Sequence, residues 1–200
     1  MSVHPVQLHI LRAARLPRIQ VVARVVLVLA LGIIAWSSIY WLLYLAAPVM
    51  VALNVLQHGP DPFLGRDAPR LVRALRWLAG AEAYLYFLTN ELPTAAGGAV
   101  DLQVSVTSTP TARSAMIRLV SSLPALLLIG ILMVVSSLLW VLAALFALAT
   151  ERIPGPFAEL FLVVLRAKYR LIAYHLSLVD RYPSLAEEVR PLLVVRSPAR

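Results

Sequence analysis

The stretch LVSSLPALLLIGILMVVSSLLWVLAALFALAT, residues 119–150, runs for 32 positions without a charge. A second stretch, VVLVLALGIIAWSSIYWLLYLAAPVMVALNVLQ, residues 25–57, does so for 33. Both far exceed the roughly 18 apolar residues that mark a membrane segment. The whole chain agrees with them: 60% of its 200 residues are hydrophobic, against roughly 45–50% in soluble domains. Mean hydropathy is +0.82. The solvent for much of this sequence is lipid, and the fold class it predicts is a mainly α membrane protein.

Length then argues against one helix per run. At about 1.5 Å per residue, each would form a rod roughly 50 Å long facing a hydrocarbon core of about 30 Å. Two helices of about 15–18 residues with a tight turn fit better, so each run is predicted to be a helical hairpin, giving about four transmembrane helices. In the first, Ser37-Ser38 would turn inside the aromatic cluster Trp36, Tyr40, Trp41 and Tyr44, placed as a belt at the far interface. Ser136-Ser137 and Trp140 are the nearest counterparts in the second.

Charge gives the same answer independently. Arg12, Arg15 and Arg18 precede the first run, Arg66, Arg70, Arg73 and Arg113 lie between the runs, and Arg152, Arg166, Lys168 and Arg170 follow the second. Cytoplasmic loops carry such excesses, so all three polar regions, and both termini, are expected in the cytoplasm of a multi-pass inner-membrane protein. A run that enters and leaves one leaflet as a wedge satisfies the same facts.

The order of residues recurs. Arg24 and Phe63 are 39 positions apart, as are Arg118 and Phe157. Arg76, Ala83-Tyr84, Leu88 and Leu92-Pro93 are followed in kind by Arg166, Ala173-Tyr174, Leu178 and Tyr182-Pro183, the second half lacking only an equivalent of Gly65 to Ala68. Two copies are read: residues 1–95, with a hairpin at about 19–57 and an amphipathic helix at about 67–90; and residues 96–183, with a hairpin at about 116–150 and a helix at about 157–180. A tail, 184–200, follows. Each copy opens on an apolar-polar alternation, Val6 to Ile10 and Leu102 to Val106, the period of a half-buried strand, and the two strands could pair.

In the first amphipathic helix Leu71, Leu75, Leu78 and Leu85 share a face, with Arg66, Arg70, Arg73 and Arg76 on another, which predicts an interfacial helix. The second is more apolar but carries Arg166, Lys168 and Arg170 at its centre, and is expected on the membrane or against the hairpins. With its strand beginning His4-Pro5-Val6 and its ending Asp180-Arg181-Tyr182-Pro183, the chain resembles two copies of a bacterial integral-membrane domain of unknown function, number forty-three eighty-nine in the domain catalogue. The resemblance spans about residues 4–93 and 100–183; the first copy departs from it with Asn90-Glu91-Leu92-Pro93. It implies no reaction, substrate or cofactor.

No catalytic motif is present, the four histidines are scattered, and no cysteine can form a disulfide or thiolate metal site, so no enzyme, cofactor or metal is expected. Candidate lipid or partner contacts are Arg24 and Arg118 at the hairpin mouths, snorkelling to phosphate; Arg76, Arg166 and Arg170, facing anionic headgroups; and Tyr84 and Tyr174, ring in lipid and hydroxyl in water. Asp180 and Tyr182 belong to the closing motif, which would stop the last helix. Glu82 lies on an apolar face and needs a partner, for which an arginine such as Arg24 or Arg118 is the candidate, or it binds a partner or handles protons. The expected role is a non-enzymatic scaffold or accessory subunit that organises lipid, anionic lipid being the expected kind, or binds a membrane protein partner or another copy of itself, with no nucleic acid; a small transporter with a site between the copies is the alternative.

Overall fold

The computed structural model describes residues 4–35, 38–93 and 98–183, with the backbone alone for residues 31–35, 38–43 and 45. In chain order the elements are β1 (Val6–Ile10), α1 (Arg18–Ala35), α2 (Ser38–His58), α3 (Pro60–Pro62), a π-helical turn (Phe63–Asp67), α4 (Ala68–Leu85), β2 (Val100–Val104), α5 (Ala112–Ser121), α6 (Leu123–Thr150) and α7 (Gly155–His175). They stack in three layers. The two-stranded ribbon rests on α4 and α7, and α7 rests on α2, α5 and α6; α1 packs on α6 and α2 on α5.

Polarity is graded through these layers. On α6, Leu127, Ile131, Val134, Leu138, Val141 and Leu145 face outward and are exposed, while Ala125, Ile129, Ser136, Ala143, Ala144 and Ala147 face α7 and α1 and are buried. Small inward residues let neighbouring backbones approach closely, the packing mode of helices in lipid. Helix α7 is apolar on almost every side and accordingly buried, with Phe161, Val164, Leu165, Tyr169 and Leu171 in the core. Of the two positions expected for it, it takes the one against the apolar helices. At the far side of the ribbon, His9 and Gln103 are exposed and Gln7 is half-buried.

Among the described residues, α6 is the one helix long and apolar enough to cross a membrane. It also corrects the second hairpin, because it continues unbroken through Ser136-Ser137. The hydroxyl of Ser137 donates back to the Met133 carbonyl at 2.8 Å, satisfying itself on its own helix, and no glycine or proline follows Gly130 before Thr150. The chain bends at Ser122 instead, just before Pro124, which lacks an N–H and crowds the preceding turn. Of the turn expected at Ser37-Ser38 in the first run, Ser37 lies outside the described residues and Ser38 opens α2. Tyr44, expected in the far aromatic belt, is buried against the Ser122 bend, and Trp140 stacks on Phe87 at 5.3 Å and donates its indole N–H to the Leu85 carbonyl at 2.8 Å.

The ribbon is antiparallel, pairing Val6 with Val104, Gln7 with Gln103 and Ile10 with Val100. The second strand therefore begins two residues earlier than the alternation suggested. Ser105 still donates its N–H to the Pro5 carbonyl, but Thr107 turns away to donate to Leu178 at 3.1 Å, which draws Val106 out of the ladder. An isolated ribbon is marginal in water, and this one buries Val6, Leu8, Val100 and Leu102 against α4 and α7.

Two local irregularities have clear causes. The residues of the first half that have no counterpart, Gly65 to Ala68, fall at the π-helical turn and the start of α4, so the surplus lengthens the helix by about a turn and widens it locally. Helices α4 and α7 end not at 90 and 180 as expected but at Leu85 and His175, each closed by a left-handed residue, Phe87 (φ 61°) and Ser177 (φ 53°). Leu88 donates to Ala83 at 2.9 Å, and Leu178 to Ala173 at 3.0 Å, the six-residue closure that satisfies free carbonyls at a helix end. Glycine normally holds this position, since a side chain there costs about 1–2 kcal/mol.

Ser177 is fully buried and its hydroxyl has no hydrogen-bond partner among the described residues. Ser177→Gly is therefore expected to stabilise the protein by about 0.5–1 kcal/mol, a rise in thermal midpoint of about 2–4 °C in detergent. Phe87→Gly relieves the same strain but removes a buried ring, and should lower the midpoint, the loss being about 3 kcal/mol.

Candidate functional site

The residues that recur along the sequence assemble into two matched sockets, each an arginine held against the cap of α4 or α7. In the second, Arg118 of α5 is only 6% exposed. Its Nη1 donates to the carbonyls of Tyr174 (3.1 Å) and Val179 (2.6 Å), and its Nη2 to Ser108 Oγ (3.1 Å) and to the Asp180 carboxylate. Ser108 in turn donates to Asp180 at 2.8 Å, and the guanidinium carbon lies 4.9 Å from the centre of the Tyr174 ring. The cap exposes the carbonyls, the loop brings the acid, and the arginine joins them.

In the first socket, Arg24 of α1 is 0% exposed and lies 3.8 Å over the Tyr84 ring, with Phe87 at 5.7 Å. Nη2 donates to Gln20 Oε1 at 3.1 Å and Asn90 Oδ1 at 3.0 Å. Asn90 stands where the second socket has Asp180, and its amide donates onward to the Arg15 carbonyl. No carboxylate reaches Arg24 among the described residues, and its Nε and Nη1 are buried without a hydrogen-bond partner.

These sockets correct the snorkelling expected of Arg24 and Arg118, whose charged ends are turned into the protein. They also correct Tyr84 and Tyr174, whose rings carry cations; the Tyr174 hydroxyl meets Ser121 at 3.1 Å. Asp180 is a counter-charge rather than the end of a helix, and Tyr182, largely exposed, touches Tyr174 edge-on at 5.6 Å.

Arg76, Arg166 and Arg170 do not spend their side chains on headgroups alone. A two-stranded ribbon has two unpaired edges, and on these Arg76 donates to the Leu102 carbonyl (3.3 Å), Arg166 to Leu8 (3.3 Å) and Arg170 to Val6 (3.4 Å). The bonds cross between the halves: α4 of the first half clasps β2, and α7 of the second half clasps β1.

Glu82 pairs with Lys168, not with Arg24 or Arg118, across the α4–α7 seam. Both side chains are mostly buried, at 24% and 14% exposure. Tyr86 and Tyr169 flank this pair, and burial first, then the charge of Glu82, pushes both phenols well above their ordinary value. Lys168 is the single lysine among 18 basic residues, a signal that the sequence did carry.

Sequence reasoning also missed a buried polar knot at the bend. Ser122 donates to the Arg118 carbonyl at 2.6 Å, which leaves its oxygen to accept from the His175 Nε2 beside it. Tyr44 donates to the Leu119 carbonyl at 3.0 Å and its ring lies 4.4 Å from that of His175. Burial, and then the nearby Arg118 charge, push His175 down to about 4 from its ordinary 6.5. Serine and histidine here are sealed from any substrate; their hydrogen bonds lock the bend. No residue outside the scattered histidines' own segments announced this grouping.

No family model, curated protein or solved structure matches the chain.

Because His175 is held neutral, stability is complete above pH 6.5 and is lost as pH falls from 6.5 towards about 4, where the unfolded chain binds a proton that the native state refuses. Thermal midpoints measured from pH 7.5 to 4 should fall more steeply for wild type than for His175→Gln. Glu82→Gln is expected to cost about 1–3 kcal/mol by stranding the Lys168 cation, and Glu82→Gln combined with Lys168→Met to recover most of it. A double variant no more stable than the single one would show that the pair does not act as a unit.

Proposed function

We propose that this is a tandem-duplicated, non-enzymatic integral membrane protein of a bacterial inner membrane. It is embedded from the cytoplasmic face and serves as a scaffold or accessory subunit whose ribbon layer receives a partner. The observation that carries the reading is the gradient of polarity through the three layers. Beside the length of α6 runs α7, and over the middle of α7 lies a ribbon with glutamines and histidine facing outward. Were α6 upright in the bilayer, that polar face would stand in hydrocarbon, at a cost of several kcal/mol for each unsatisfied group.

Laid along the membrane, the same helix sinks its leucine face into lipid and leaves the ribbon in water. Its length supports this geometry. Twenty-eight residues span about 42 Å, so crossing a core of about 30 Å would need a tilt well beyond the usual 20°. Of the two arrangements the sequence left open, the wedge is thus the better supported for the second run. The matched sockets, the paired glutamines at the ribbon's centre and the reciprocal clasp of strands support duplication in one orientation. The scaffold role follows from the use of the reactive side chains: His175, Ser122, Glu82, Lys168, Arg118 and Asp180 are engaged with one another.

The chain has no cysteine, so single cysteines can report its placement. Arg113→Cys and Arg152→Cys, at the two ends of the α5–α6 segment, should both react with an impermeant maleimide in inverted vesicles and not in intact cells. Labelling of Arg113→Cys from outside would overturn the wedge and favour a crossing α6.

A further inference from the structure

We propose that the Arg24 socket binds an oxyanion, the phosphate of an anionic phospholipid headgroup or a free phosphate ion, in the place that Asp180 fills in the Arg118 socket. The two sockets share an arginine, a tyrosine ring beneath it and a left-handed helix cap, and they differ in charge. Arg118 has a carboxylate and two cap carbonyls. Arg24 has two neutral amide oxygens, from Gln20 and Asn90, both on the same nitrogen. A guanidinium has five N–H donors in a rigid fork, so most of this one goes unused.

A buried cation without a counter-charge is strongly unfavourable, as the marked destabilisation on removing half of a buried pair shows. The first socket looks like the second with its acid deleted, yet its arginine, stacking ring and cap are intact. What is missing is an anion, and two buried nitrogens, Nε and Nη1, are without acceptors. The cover over them is built to exchange: Gln20, Tyr84 and Asn90 are each half-exposed, and charge-assisted bonds from an arginine to phosphate are about twice as strong as those to an amide. A shift of the Gln20 and Asn90 side chains opens the socket without disturbing the helices. Arg15, exposed in the approach to α1, adds positive potential at this entrance, while the charge of Arg18 is shared with Glu151 at 3.7 Å. The proposal does not rest on how α6 lies in the bilayer and can fail or hold independently of it.

The test supplies the missing acid from within. Gln20→Glu places a carboxylate one helical turn before Arg24 while keeping the oxygen that Arg24 already meets; Asn90→Asp, which sacrifices the bond to Arg15, is the second variant. Arg24 itself is left alone, since its removal risks the fold. Thermal midpoints of the full chain are measured in phosphatidylcholine nanodiscs, with and without phosphatidylglycerol, and separately with inorganic phosphate against chloride at equal ionic strength. Wild type is expected to gain about 3–6 °C from an anion. Gln20→Glu should start higher than wild type and lose that response, and Asn90→Asp should lose it too. A gain with phosphatidylglycerol alone assigns a headgroup; a gain with inorganic phosphate assigns the free ion. A wild type indifferent to both anions, or variants that respond as strongly as wild type, would overturn the site.

Discussion

Each half of the molecule is organised around an arginine pressed onto the end of a helix. A helix that stops leaves its last carbonyls without partners, and here the left-handed caps of α4 and α7 close part of that deficit while arginine chemistry closes the rest in the second half. Around each socket the chain is drawn together from three directions. Ala13 donates to the Leu88 carbonyl and Thr107 to that of Leu178, so the segment leaving each strand is tied to the same cap on which the arginine sits. Strand, arginine-bearing helix and central helix thus meet at one point, twice.

Fixing the arginines inward changes what the basic composition means. A positive count in a membrane protein suggests headgroup contacts, but Arg24, Arg118, Arg76, Arg166 and Arg170 bond mainly to oxygens of the protein itself. Arginine suits this use, because its planar fork can bridge several carbonyls without ever losing its charge. Arg15, Arg66 and Arg73 are left exposed on the surface.

Much of the fold was legible from periodicity. The alternation of Val6 to Ile10 marked a strand with one buried face, and the spacing of Arg24, Ala83-Tyr84 and Leu88 against Arg118, Ala173-Tyr174 and Leu178 marked residues that turn out to meet in space. Direction was less legible. A charged residue announces itself in the sequence, whereas the backbone carbonyl that receives it does not, so the arginines were assigned to lipid. The helix ends were hidden because Phe87 and Ser177 hold a conformation usually given to glycine. The bend was sought at a serine pair in mid-run, where only apolar packing matters, and lies at Ser122, where a proline and a buried histidine act together. Lys168 carried the one compositional clue to Glu82, its rarity, and rarity alone names no partner.

The reciprocal clasp of the ribbon has a consequence in time. Val6 and Leu8 belong to the first strand to leave the ribosome, yet the arginines that cover their carbonyls follow 164 and 158 residues later. The strand they pair with is itself almost a hundred residues away, an arrangement whose loop closure is slow. Until α7 has been made, the edge of β1 that faces away from β2 stays uncovered. The edge of β1 is thus closed only after β2, α5 and α6 have all left the ribosome.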